Sequence, residues 1–122
     1  MANSFEDLEC WKACNRLKFF IKEEVLVKLP KSEKFELHSQ LLRASRSATA
    51  NVAEGWGRFH YKENIKFLLN ARGSCAECLD HLLEASNWEY LDNQTLKLGR
   101  DKIDDALKLL NGYIRYLREK SE

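Results

Sequence analysis

The sequence has little of the punctuation that an all-β fold requires. Its 122 residues include one proline, Pro30, and five glycines, while Leu, Lys, Glu and Ala recur in helical patterns. No apolar run approaches the roughly 20 residues of a membrane span, and the N-terminus, MANSFEDLECW, lacks the basic and then apolar pattern of a signal peptide. With an apolar fraction of 44%, we expect a single all-α domain over residues 1–122, located in the cytosol.

The four cysteines have the spacing of helix-core residues. Cys10 and Cys14 lie one helical turn apart in one amphipathic segment, and Cys75 and Cys78 do so in another. Reduced, buried thiols are the interpretation that fits a cytosolic helical protein. A zinc held by all four thiolates is the less favoured alternative, because cysteines at helical spacing usually fill a bundle core.

Patterns for other metal or catalytic sites are also lacking. A carboxylate-bridged di-iron bundle needs Glu-x-x-His on two helices, and His81 with Glu77 and Glu84 supplies no copy. His38 and His60 stand alone, and no nucleophile is paired with a base. We therefore predict a non-enzymatic protein without a metal or cofactor.

Neither sign of charge dominates the chain, but the two signs are segregated along it. The net charge is +1. Residues 41–72 contain six basic and two acidic side chains, whereas residues 73–94 contain five acidic and no basic ones. Such unlike segments suit head-to-tail contact between copies, which closes into a ring when the rotation allows.

Hydrophobic periodicity predicts four helices joined by short connections. The first predicted helix runs from a capping pair at Ser4 and Asp7 to just before Leu29–Pro30. The second is capped by Ser32 and breaks at Gly55–Trp56–Gly57. The third covers about 61–88, and the fourth runs from Leu96 to the polar end REKSE. Four helices connected in this way predict an antiparallel up-down bundle.

The second predicted helix has an unusual outer face. Its core face carries Leu37, Leu41, Ala44, Ala48 and Val52. The opposite face is small and basic, with Ser39, Arg43, Arg46, Ser47, Ala50, Ala53 and Gly57. A solvated face usually carries Glu and Lys, so this one is interpreted as a contact face that lets another surface approach closely.

The third predicted helix has two apolar sides, which indicates a neighbour on each. One side carries Ile65, Leu68, Leu69, Cys75, Ala76, Leu79, Leu82 and Leu83; the other carries Phe67, Ala71, Ser74, Cys78 and Ala85. Arg72 falls within the first stripe, where an unpaired charge is costly. We therefore expect a structural ion pair between Arg72 and Glu54, brought together by antiparallel packing.

Six basic residues form the candidate nucleic-acid site: Arg43, Arg46, Arg58, Lys62, Lys66 and Arg72. One interpretation is phosphate contact by charge neutralisation and guanidinium hydrogen bonds. The other is pairing between subunits with the acidic segment 77–92. Trp56, Phe59 and Tyr61 interleave with this group, and they either stack on unpaired bases or close the end of the bundle.

Four motifs occur in order along nearly the whole chain: Phe5-x-Asp7-Leu8-x-x-Trp11, Gln40-Leu41-x-Arg43-Ala44, Asn51-Val52-Ala53-Glu54-Gly55-x-Gly57-Arg58 and Ala71-Arg72-Gly73-Ser74-x-x-Glu77. Together they resemble bacterial four-helix-bundle proteins of the S23 type, whose genes include those in intervening sequences of 23S ribosomal RNA genes. The resemblance extends to the accessory variability determinants of diversity-generating retroelements. It implies a homopentameric ring that binds RNA or DNA and a reverse transcriptase.

The chain departs from those accessory determinants in charge. They are strongly basic, whereas this chain carries a net charge of +1. The leading functional prediction is an oligomeric bundle with a basic surface for nucleic acid. The alternative is a structural or protein-interaction oligomer without nucleic-acid binding.

Overall fold

Four amphipathic segments of the chain form long α-helices in the computed structural model, which describes residues 2–121. They are α1 Glu9–Phe20, α2 Leu37–Trp56, α3 Tyr61–Asn87 and α4 Asn93–Ser121. The described part of the chain contains no strand, so the expected all-α four-helix bundle is confirmed. None of its helices has the length and apolar character needed to cross a membrane.

The helices are arranged around a common core, with α2 in contact with α1 and α3, and α4 in contact with α3 and α1. The α2–α3 pair shows the relative direction of the two helices. Ser74 donates to Ser47 at 2.9 Å, while Gly55 lies against Asn64. Residue numbers thus rise on one helix as they fall on the other.

The first helix is longer than its regular α-helical part. After Phe20 it continues as a π-helical turn, Ile21–Val25, and a 3-10 turn, Leu26–Lys28, and it ends before Pro30 as predicted. The predicted capping residue, Ser4, caps a short element that precedes α1 and not α1 itself. Ser4 accepts a hydrogen bond from the Glu6 amide and caps a short 3-10 turn, Phe5–Asp7, that precedes α1.

Both predicted ends of α2 need correction. Ser32 lies in a separate 3-10 turn, Lys31–Glu33, and α2 begins five residues later at Leu37. At the other end, Gly55 is a buried residue inside the helix, which continues through Trp56. Gly55 is small because α3 passes directly beside it, which explains the glycine without a break in the helix.

The predicted core face of α2 is confirmed, since Leu37, Leu41, Ala44, Ala48 and Val52 are all buried. The helical phase predicted for α3 is shifted. Its buried residues are Asn64, Leu68, Ala71, Ser74, Cys75, Cys78, Leu82 and Ala85. They combine members of both predicted stripes into one broad face, and Leu69 and Ala76 are exposed. The two apolar sides are thus covered by α2 and α4 of the same chain.

All four cysteines are free and buried in the core, as expected. The Cys14 and Cys75 sulfurs lie 4.0 Å apart and share a hydrogen bond between α1 and α3. That bond and burial raise the pKa of Cys14. Burial also raises the pKa of Cys10 to about 11 and that of Cys78 to about 12, which keeps these thiols protonated and unreactive at neutral pH.

Candidate nucleic-acid interface

The connection between α2 and α3 forms a corner at one end of the bundle. The amides of Gly57 and Arg58 donate to the carbonyls of Ala53 and Gly55, so they are not free to hold an anion. The guanidinium group of Arg58 lies over the Phe67 ring, 4.7 Å from its centroid. This stacking holds the Arg58 side chain against α3.

Two carboxylates offset the charge of Arg58. Its guanidinium lies 3.5 Å from Glu54 and 3.9 Å from Glu63, and all three side chains are about half exposed. Exposed pairs of this kind contribute less than about 1 kcal/mol each. They nevertheless reduce the positive potential that Arg58 presents to a phosphate.

The predicted ion pair between Glu54 and Arg72 is wrong, because Glu54 pairs with Arg58 one turn further along the chain. Glu54 adjoins Gly55, which lies beside Asn64, two helical turns from Arg72. Within residues 2–121, Arg72 makes no ion pair, and its Nε atom is buried without a hydrogen-bond partner.

The aromatic residues of the corner divide between the two predicted uses. Trp56 packs edge-on against Phe5 at 6.4 Å between ring centroids, and Phe5 packs against Trp11 at 5.5 Å, so these rings close the end of the bundle. Phe59 is 94% exposed and Tyr61 is exposed beside it. These two rings do not pack into the core, and their faces are accessible to a ligand.

Lys62 and Lys66 lie one helical turn apart near the start of α3, where they follow Tyr61 in the chain. Both are exposed, and neither makes an ion pair with any other described residue. This end of the bundle therefore carries two exposed aromatic side chains, two unpaired ammonium groups and one partly neutralised guanidinium.

The remaining predicted residues lie elsewhere on the bundle. Arg43 is exposed on α2, 15 residues or about 22 Å of helix from Arg58. Arg46 lines a groove between α1 and α2. Arg72 is only partly exposed. The structure thus brings together Arg58, Lys62 and Lys66 and separates the other three from them.

The sequence reasoning missed the basic residues of α1. Lys18 and Lys22 line the same groove as Arg46, together with His38. Their spacing of four residues around Phe19 was the available signal, because residues at i and i+4 share one helix face.

Fold and surface together define the chain as a small all-α four-helix bundle with separate basic and acidic surfaces. Residues 6–112 match the family of 23S rRNA-intervening sequence proteins, and the chain belongs to that family. The resemblance to proteins of the S23 type, noted from its motifs, is therefore confirmed.

A solved structure has the same fold. It is the crystal structure of a protein of unknown function from the S23 ribosomal protein family of Bacteroides thetaiotaomicron VPI-5482, with a TM-score of 0.64 and 22% identity over 86% of this chain and 90% of that chain. At this identity the similarity is one of fold. A comparison with curated proteins found no match.

Proposed function

We propose that the chain is a non-enzymatic, self-associating bundle whose α2–α3 corner binds RNA or DNA. The observation that supports the proposal is that the exposed Phe59 and Tyr61 and the unpaired Lys62 and Lys66 all lie within eight residues at one end of the bundle. Aromatic faces stack on unpaired bases while ammonium groups neutralise the adjacent phosphates, so a single strand fits this corner better than a duplex does. The proposed protein partner is a reverse transcriptase or another nucleic-acid enzyme.

The test is a titration of labelled single-stranded RNA and DNA against the protein, followed by fluorescence anisotropy at several salt concentrations. Replacing Lys62 and Lys66 by Ala should flatten the plot of log affinity against log salt by up to about 1.4 units, since each phosphate contact on a single strand contributes about 0.7. Replacing Phe59 by Ala should weaken binding with little change in the slope, at about 1–3 kcal/mol per stacked base.

The control removes equal charge from another surface. Arg100 and Lys108 are exposed on α4. Their double replacement by Ala should leave the slope within error of the parent if the corner is the site. Equal losses from the corner and the α4 variants would show diffuse binding and refute the assignment. No measurable binding to either nucleic acid at low salt would refute the function itself.

The second candidate is a structural or protein-interaction oligomer without nucleic acid. It is favoured by the Glu54 and Glu63 carboxylates that offset Arg58. The role of Arg43 and Arg46, which lie outside the corner, is tested separately. If they contact phosphates, changing both to Ala should lower affinity for all sequences and leave the oligomer intact. Loss of the oligomer in light scattering would instead assign these arginines to subunit contact.

A further inference from the structure

A groove of about 620 Å³ separates the second half of α1 from the first half of α2. Its floor is apolar, with Phe19, Leu26 and Leu42 among the lining residues. Phe19 is about half exposed, and Val27, at one end of the groove, is 71% exposed. An apolar surface of this kind that is left open in one copy of the chain marks an interaction site.

The groove is lined by positive charge alone. Lys18, Lys22 and Arg46 contribute to its wall, and no carboxylate among the described residues does so. Lys18 is fixed by a 3.0 Å hydrogen bond to Thr49, and the Lys22 ammonium lies 5.7 Å from the centroid of the Phe19 ring. The occupant is therefore expected to carry an apolar group flanked by acidic groups.

The outer face of α3 near its C-terminal end has this composition. Glu77, Asp80 and Glu84 are exposed there, and residues 73–94 include no Lys or Arg. Trp88 is 61% exposed, and its indole N–H donates to Glu84 at 2.7 Å. This bond orients a large apolar ring beside the carboxylates, so that little side-chain freedom remains to be lost on binding.

The two surfaces lie at the same height on the bundle. The Ser47–Ser74 hydrogen bond fixes the alignment of α2 with α3, so the part of α2 that lines the groove, residues 38–46, is level with residues 75–83. Glu77 and Asp80 lie within that range, whereas Glu84 and Trp88 lie beyond it, by up to about 8 Å of helix. The groove opens between α1 and α2, whereas the acidic face is on the exposed side of α3. Head-to-tail contact of two such surfaces involves no displacement along the bundle axis, which is the condition for a closed ring.

We infer that the groove between α1 and α2 receives the acidic outer face of α3 from a second copy of the chain, with Glu77 and Asp80 facing Lys22 and Arg46 and with Trp88 at the end of the groove marked by Val27. The inference rests on the proposed self-association and assigns its two surfaces. A nucleic-acid strand fits the groove less well, since its phosphates make no favourable contact with the apolar floor.

Charge reversal tests the pairing directly. In a groove variant, Lys22→Glu and Arg46→Glu, the groove becomes acidic like the α3 face. In an α3 variant, Glu77→Lys and Asp80→Lys, the α3 face becomes basic like the groove. Each variant should associate at least about tenfold more weakly than the parent in sedimentation or light scattering, and the variant with all four changes should recover association. Arg100→Glu with Lys108→Glu on α4 is the matched control and should leave association unchanged. Circular dichroism checks that each variant is folded.

The outcomes separate this inference from the proposal on which it rests. A monomeric parent would refute self-association altogether. An oligomeric parent whose groove variant stays oligomeric, or a fourfold variant that fails to recover, would refute this interface and leave self-association standing. Trp88→Ala should also weaken association at least about tenfold, and an unchanged oligomer would remove the indole from the contact. A groove variant that stays oligomeric but loses binding of a long-chain carboxylate probe would make the groove a ligand site instead.

Discussion

Replacing Gly55 by Ala tests the closest contact between α2 and α3. A Cβ atom at Gly55 would lie 2.6 Å from Asn64 Oδ1, 2.9 Å from the Asn64 carbonyl oxygen and 2.9 Å from Phe67 Cβ. The last two atoms belong to or adjoin the α3 backbone, so a rotamer change cannot relieve the overlap. The two helices must separate by several tenths of an ångström, which also stretches the Ser47–Ser74 hydrogen bond further along the interface.

The expected change in stability is the difference between two opposing effects. Overpacking a core contact costs about 1–3 kcal/mol, whereas alanine in place of glycine within a helix favours folding by about 1 kcal/mol. Overlap with two rigid groups lies at the upper end of the first range. We therefore expect Gly55→Ala to lower the free energy of unfolding by about 1–2 kcal/mol.

Gly73 on α3 provides the control. No atom lies within 4 Å of a Cβ built at that position, so Gly73→Ala should raise the free energy of unfolding by about 0.5–1 kcal/mol. Urea denaturation followed by far-ultraviolet circular dichroism measures both variants against the parent, with the m value as a check on two-state behaviour. A Gly55→Ala protein as stable as the Gly73→Ala protein would show that α2 and α3 are not packed this closely.

Two further predictions concern the core. Arg72→Met should leave stability unchanged or raise it by about 1 kcal/mol, because it removes a buried Nε donor that has no partner and keeps an unbranched apolar side chain that reaches about as far as Nε. A loss above about 2 kcal/mol in a urea titration would reveal a partner for the guanidinium. Stability should also fall above about pH 9, since the unfolded chain releases the Cys10 proton near its ordinary pKa whereas the folded protein retains it up to about pH 11. Cys10→Ala should reduce that slope by about 1.4 kcal/mol per pH unit, and an unchanged slope would show that Cys10 ionises equally in both states.

The sequence predicted the number of helices well because each helix has a regular apolar period. The seam of α4 is the best case, with Gly99, Ile103, Ala106, Leu110 and Ile114 all buried as their spacing indicates. The centre of the α3 face was harder to place. A helix packed between two neighbours buries a broad arc, and many phases then match the apolar residues about equally well.

The errors at Gly55 and Arg72 have different physical origins. A glycine that ends a helix and a glycine that admits a neighbouring helix are identical in sequence, because the distance between the helices is a property of the packed bundle. The partner of Glu54 was a different matter. Arg58 lies four residues away, just past the end of α2, and that local pair requires no assumption about packing. Pairing with Arg72 instead requires both the register and the phase of α3 to be right.

The grouping of the candidate site residues in space was also not predictable from the sequence. The sequence shows where the six basic residues lie along the chain, but their positions around the bundle depend on how the helices pack. The packed helices put Arg58, Lys62 and Lys66 at one corner, Arg46 in the groove and Arg72 partly buried in α3. The charged groove was missed because half of it comes from α1, outside the basic segment.

Because the basic residues are divided between the corner and the groove, the proposed nucleic-acid binding depends on the proposed self-association. One corner offers the unpaired Lys62 and Lys66 and a partly neutralised Arg58, which is enough for about two or three phosphate contacts and therefore for weak binding to a single copy. A ring repeats the corner once per subunit, and a strand that reaches two corners gains from the high effective concentration of the second. The groove variant, Lys22→Glu with Arg46→Glu, should then lose affinity for a long strand but not for a short oligonucleotide that spans one corner. Equal losses for both lengths would place Lys22 or Arg46 in direct contact with the nucleic acid.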